Sequence, residues 1–476
     1  MHLNEKTSQN DIGRSRCLSA WGCWSVPPVS LLARACALFT LCLTCCARAD
    51  EYAIIQLETT EKWSFGESIN SLGLVCGAAS GDPLAAPIVW ERDNYLKLGN
   101  LGGNDSTAQA ISDSGVVVGY SGYPDFREIP FVWIQGRGDW MALPMPDGYD
   151  VGRANGVNEH NQAVGFCRHF ELGDSTAVTW TSGQVNELPG LGGWGSAAAD
   201  ISDSGWIVGW AVDDQLTRQA VLWTSQSTIV VLGTLGGWWS VGTAYGVNDF
   251  GQITGFSEAS VDEHAFLWQD GEMFDIHDHP WDTSIAFGIA NTGEVVGTLI
   301  KSSYGEWTAF LWRDGSGMLE LRNMLPPNSN WTNLEQALDI NEFGQIVGYG
   351  FRSDRNSYNH GFLMTPIYPT FTLDQPSPGV AGEVNTITAR NLTPGAKVYL
   401  IYGMVGGGSI IPRCEIVEAA LQIDDPVIAG TAIANANGIA TLVGKVPSKW
   451  AGQEVLIQGL VSSECDISNL IVVKFE

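Results

Sequence analysis

The chain has 476 residues, 45% of them apolar and 16% charged, with 56 glycines and 19 tryptophans. That balance excludes a disordered chain, which needs low hydrophobicity and high charge, and fits a turn-rich β protein of two or three domains. Acidic residues outnumber basic ones 52 to 24, a formal net charge of −28. A surface that negative repels phosphate backbones and anionic headgroups, so nucleic acid and peripheral membrane are both disfavoured as partners.

Residues 1–49 read as an export signal. Arg14, Arg16 and Arg34 supply positive charge, and the apolar stretch from Ala35 to Cys46 is too short to span a bilayer. Ala47-Arg48-Ala49 then offers a small-x-small cleavage site before Asp50. A lipoprotein reading around Leu43-Thr44-Cys45-Cys46 is disfavoured, because Cys45 stands where a small residue is needed. The mature chain is therefore expected outside the cell or on its surface, with no transmembrane segment. Cleavage leaves Cys76, Cys167, Cys414 and Cys465. Cys414 and Cys465 both lie near the C-terminus, and export implies an oxidising compartment, so these two are expected to pair. The loop closed would be about fifty residues, worth about 4 kcal/mol of unfolded-chain entropy. Cys76 falls on a repeat position held by Val elsewhere and reads as a small buried hydrophobe.

From 50 to 367 one unit can be read seven times, anchored on Gly77, Gly119, Gly165, Gly209, Gly255, Gly297 and Gly348 at spacings of 42 to 51 residues. Each copy opens on an apolar residue, such as Ile69, Val157 or Ile340. Four positions later stands a residue that tolerates positive φ, such as Gly73, Asn161 or Gly344. This is a β-hairpin signature. Two adjacent apolar residues follow the turn, as in Val117-Val118 or Ile346-Val347. That pattern implies a strand covered on both faces, and the anchor glycine suits a place where another backbone comes close. Further strands, PIVW (87–90) to GFLM (361–364), and glycine turns such as LGTLGG (232–237) complete about four strands per copy, the make-up of a propeller blade. The seventh copy lacks its fourth strand, and the segment 52–57 resembles the missing element. A closed seven-bladed β-propeller is expected over an open solenoid, which would want atypical caps.

The copies resemble HAF repeats, an extracellular bacterial repeat named for its His-Ala-Phe strand. The motif stands as His264-Ala265-Phe266 and degenerates to His360-Gly361-Phe362 and Thr308-Ala309-Phe310. The resemblance runs from about 52 to 366 and implies a fold and an extracellular setting; it brings no assigned chemistry.

Residues 368–476 change periodicity. Short alternating strands broken by Pro-Gly and Gly-rich turns suggest an immunoglobulin-like β-sandwich, with Asn437-Gly438 as a hairpin turn between IAGTAIA and IATLVGKV.

Candidate functional residues are aromatic. Trp63, Tyr149, Trp194, Trp238, Trp239, Trp281 and Trp331 recur six to nine residues before the hairpin and would ring one face of a propeller. They could stack on sugar faces or plug the junctions between blades, and their recurrence favours packing. The strand tryptophans Trp90, Trp133, Trp180, Trp223, Trp268 and Trp312 read as core. His277-Asp278-His279 with Asp275 has metal-ligand character but no equivalent in other copies, and the acidic turns (Asp113, Asp203, Asp249, Glu342) lack the dense oxygens of a calcium loop. No metal or cofactor is expected, and no catalytic signature is found. The resulting expectation is a non-enzymatic binding or adhesion scaffold for an extracellular ligand, a polysaccharide or a surface protein. The alternatives are a secreted polysaccharide-active enzyme, lyase or glycosidase, on the same scaffold, or a structural cell-surface protein.

Overall fold

A computed structural model describes residues 51–476 except 58, 81–84, 92–93, 102, 104, 126, 139, 302–304, 356–357, 412–419 and 464. The expected export signal and Cys414, and with Cys414 its pairing to Cys465, lie outside the described residues. Regular structure among the described residues is strand, apart from two 3-10 turns at Leu321–Met324 and Ser448–Trp450. No helix there is long and apolar enough to cross a membrane.

The fold is all-β and propeller-like. Between Trp63 and Pro366 the strands form antiparallel meanders: five sheets of four strands and one larger sheet. The larger one is two meanders joined by a single parallel bridge between Ser175 and Gly195. The first meander is Trp63–Ile69, Val75–Ser80, Ala85–Glu91 and Asn94–Lys97. The last is Trp331–Ile340, Ile346–Arg352 and His360–Pro366, with its fourth place taken by Tyr52–Gln56, antiparallel and with Tyr52 opposite Pro366. Arg313 holds that added strand by donating from Nη2 to the Tyr52 hydroxyl at 3.1 Å and from Nε to Glu294 at 2.6 Å.

The paired apolar residues after each turn explain how the sheets stack. Val117 packs with Leu74, Cys76 and Val89 of the preceding meander, while the adjacent Val118 packs with Ala154, Ala163 and Val178 of the following one. Ile346 and Val347 divide in the same way. Successive side chains on a strand point to opposite faces, so two apolar neighbours serve two different cores. The strand tryptophans lie in these layers. Trp180 and Trp223 are buried and donate their indole N–H to the carbonyls of Pro144 and Pro189, at 2.6 and 2.8 Å.

The anchor glycines answer to sterics. A Cβ at Gly77, Gly119, Gly165, Gly255 or Gly297 would stand 2.0 Å from a first-strand carbonyl oxygen, far inside contact distance. Each first hairpin closes on a tight turn, and most of these turns also grip the next meander. Asn70 Oδ1 accepts from the N–H groups of Leu72 and Leu74, while its Nδ2 donates to the Ser112 carbonyl at 3.0 Å. Asn158 and Asn248 repeat the contact, and Asn341 of the last meander donates to the Asn70 carbonyl of the first at 3.0 Å. The acidic turn residues continue it: the N–H of Ser71 donates to Asp113, that of Glu159 to Asp203 and that of Asp203 to Asp249, at 2.7 to 2.8 Å.

Beyond Phe371, a three-stranded and a five-stranded sheet share one core, with Leu373, Ile387 and Ala389 facing Val398, Leu400, Val455 and Ile457. The Asn437-Gly438 hairpin of the sequence reading does not form. The turn is tight, with Gly438 N–H donating to Asn435 at 3.0 Å, but Val427–Ile433 pairs with Lys397–Gly403 and Ala440–Lys445 with Val384–Arg390. Leu392 N–H donates to the Gly438 carbonyl and fastens the turn to the opposite sheet, so the chain crosses between layers instead of doubling back. Ala53 and Ile367 share a second cluster with Ile401, Ile423 and Leu456, which joins this region to the added strand.

Candidate functional site

Every first hairpin carries the same irregularity. Its register slips by one residue, between Gly66 and Ser68 in the first meander and between Ala337 and Asp339 in the last. A bulge of this kind leaves one residue unpaired and re-aims its side chain. The residues so expelled are Glu67, Gln109, Asn155, Ala199, Tyr245, Phe287 and Leu338. All of them line one cavity of about 530 Å³, together with Phe166, Arg168, Ser175, Trp194 and Trp210.

Among its described lining residues, only Glu67 and Arg168 carry charge. Protein surrounds Glu67 in the cavity, though its side chain keeps partial access to the water there. Loss of bulk solvation raises its carboxyl from the ordinary 4.5 to about 7, and among the described residues no group donates a hydrogen bond that would restore the charge. The neighbouring carboxylates differ. Asp200 accepts the N–H of Ile201 at 2.8 Å and of Val247 at 3.0 Å, and Asp339 accepts those of Ile340 at 2.8 Å and of Ile69 at 2.9 Å. Burial still raises Asp200 to about 6 and moves Asp339 upward. Their oxygens are committed to backbone donors of neighbouring meanders, so they clasp the architecture, and Glu67 alone of the three is free to exchange a proton with a ligand.

The structure disperses the predicted aromatic ring. Trp331 is buried, edge-on to Phe362 with ring centres 5.9 Å apart. Tyr149 stacks on His169 at 4.4 Å and bonds Thr176 Oγ1 at 2.8 Å. Trp63 lies against Phe65, and Trp281 is partly buried beside Ile276 and Met318. Trp238 and Trp239 are exposed, at 84% and 77%, but do not line the cavity. Trp194 alone of the predicted set reaches it. In the fifth meander His264 and His277 stack ring on ring at 4.2 Å, but their hydrogen bonds go to different groups: His264 pairs with Asp275 at 2.9 Å, His277 with Ser284 at 2.8 Å and His279 with Glu320 at 3.4 Å. The expelled residues were missed because they do not recur in type. Their signal is the column two places before the opening apolar residue, where the copies disagree.

No family model matches the chain, and comparison with curated proteins gives no match. Among solved structures it is similar to an acylaminoacyl peptidase of Pyrococcus horikoshii, at 12% identity and TM-score 0.42 over 73% of this chain, which spans 61% of the peptidase. A puromycin-hydrolyzing peptidase of Mycobacterium tuberculosis follows at 10% and 0.43, covering 71% of this chain and 58% of that one. A copper-bound fungal alcohol oxidase of the AA5 family aligns at 11% and 0.41, over 90% of this chain and all of its own. Likeness at this level transfers no chemistry. The expectation of a non-enzymatic binding or adhesion scaffold is nonetheless corrected here. The aromatic ring on which that expectation rested is not assembled, and the cavity holds a carboxyl that burial raises to about 7.

Proposed function

We propose that this chain is a secreted enzyme acting on an extracellular polysaccharide, with the cavity as its active site and Glu67 as the group that gives or takes the proton. The scaffold in this reading is a closed seven-bladed propeller of HAF-type repeats over 50–367, sealed by the strand at 52–57. An immunoglobulin-like module follows over 368–476, bridged by Cys414 and Cys465. Support for closure comes from the Asn341-to-Asn70 hydrogen bond and from the contact of Trp63–Ile69 with both Ser106–Ile111 and Trp331–Ile340.

The observation that carries the enzymatic reading is Glu67: a carboxyl at about 7, without a partner among the described residues, in a cavity walled by Trp194, Trp210, Tyr245 and Phe287. A carboxyl near neutral pH is matched to proton transfer, and flat rings offer sugar faces a large contact area at small entropic cost. The test is release of new reducing or unsaturated chain ends from a panel of polysaccharides by residues 50–476. Cleavage by the wild type, lost in a folded Glu67→Gln variant, supports the reading. Cleavage of no polymer, or equal cleavage by both proteins, overturns it.

A further inference from the structure

The second charged residue of the cavity has no counterion among the described residues. Arg168 ends the strand Ala163–Arg168, three residues beyond Gly165, so its backbone stands about 10 Å along the strand from the bulge level. Its Nε is buried without a hydrogen-bond partner, and among the described residues no carboxylate pairs with it. The other arginines described near a cavity wall are satisfied: Arg153 is held by Glu128 at 2.6 Å, and Arg218 lies over the ring of Trp210 at 4.1 Å. Among the described residues Arg127, Arg153, Arg313, Arg322, Arg352 and Arg390 each pair with a carboxylate, and Arg168 does not. A buried guanidinium donor with no acceptor costs free energy, and a ligand anion would recover it.

We infer that Arg168 binds the carboxylate of a uronic-acid unit, so that the polymer taken by this cavity is an acidic one; this rests on the enzymatic reading above and names its substrate class. One guanidinium matches one planar, singly charged carboxylate through parallel N–H···O bonds. Phe166, Trp194 and Trp210 line the same cavity as Arg168 and supply walls for sugar rings. Arg168 here is a recognition residue, with proton transfer left to Glu67.

The test is calorimetric titration with a galacturonate trimer, its carboxyl-reduced neutral counterpart and a sulfated galactose trimer, against wild type, Arg168→Gln and Arg168→Lys. The wild type is expected to bind the galacturonate trimer about tenfold or more tightly than the neutral one. Arg168→Gln should bring the two within about twofold, and Arg168→Lys should fall between, since a point charge lacks the planar fork. Equal binding of acidic and neutral trimers by the wild type, preference for the sulfated trimer, or a preference that survives in Arg168→Gln overturns the inference. Glu67-dependent cleavage of a neutral polymer would overturn it while leaving the enzymatic reading intact.

Discussion

Glu67 makes the enzymatic reading measurable without any substrate. Its carboxyl titrates at about 7 in the fold against 4.5 when solvated. Between those values the folded chain holds a proton that the unfolded chain has released, so stability falls as pH rises from 4.5 to 7 and the penalty is constant above. A shift of that size is about 3.4 kcal/mol at 1.36 kcal/mol per pH unit. Cavity water screens part of it, which leaves about 1–3 kcal/mol. Glu67→Gln keeps the shape and removes the ionisation. Urea unfolding of both proteins at pH 4.5 and pH 8 should therefore show the variant gaining about 1–3 kcal/mol on the wild type across that interval. A stability gap equal at the two pH values would mean that Glu67 is solvated like a surface carboxylate, and the case for a tuned proton-transfer group would fall with it.

Three other outcomes are expected. Arg313→Met should cost about 3–5 kcal/mol in urea unfolding and speed proteolysis of the added strand, because it strands Glu294 and strips Tyr52 of its donor. Gly165→Ala should cost about 3 kcal/mol or more, since its Cβ would meet the Arg153 carbonyl at 2.0 Å, whereas Gly444→Ala, with open space around it, should be neutral or slightly stabilising. Trp238→Ser should leave stability within about 0.5 kcal/mol, and a larger loss would show that this exposed ring packs against something.

The fold class was legible because packing repeats. Adjacent pairs such as Val117-Val118 mean two covered faces whatever else the copy contains, and Gly165 can be only glycine where a carbonyl lies against it. Trp180 and Trp223 were readable as core for the same reason. The cavity was not legible, because a bulge turns its residues inward and the sequence pattern of a strand does not announce a one-residue slip. Glu67, Tyr245 and Phe287 share a place but no chemistry, so a search for recurrence passes over them. The aromatic set failed in the opposite way: recurrence gathered Trp331 and Trp194 into one group, yet one is buried and the other 57% exposed. The Asn437-Gly438 hairpin failed because turn chemistry fixes only the turn, while the partner of each flanking strand is chosen by the sheet that can bury it.

The strand Tyr52–Gln56 has a consequence for the order of events in the life of the chain. It leaves the ribosome ahead of every element it will touch, and its partner His360–Pro366 follows some three hundred residues later. Until then both strands are open edges, able to recruit a neighbouring molecule as readily as each other. Joining ends so far apart in the chain is slow, since loop closure must precede the contacts that reward it. The vulnerable species is thus the nearly finished molecule, complete in all but its last sheet, and crowding among such molecules during folding would set the yield of folded protein more than the stability of the finished fold.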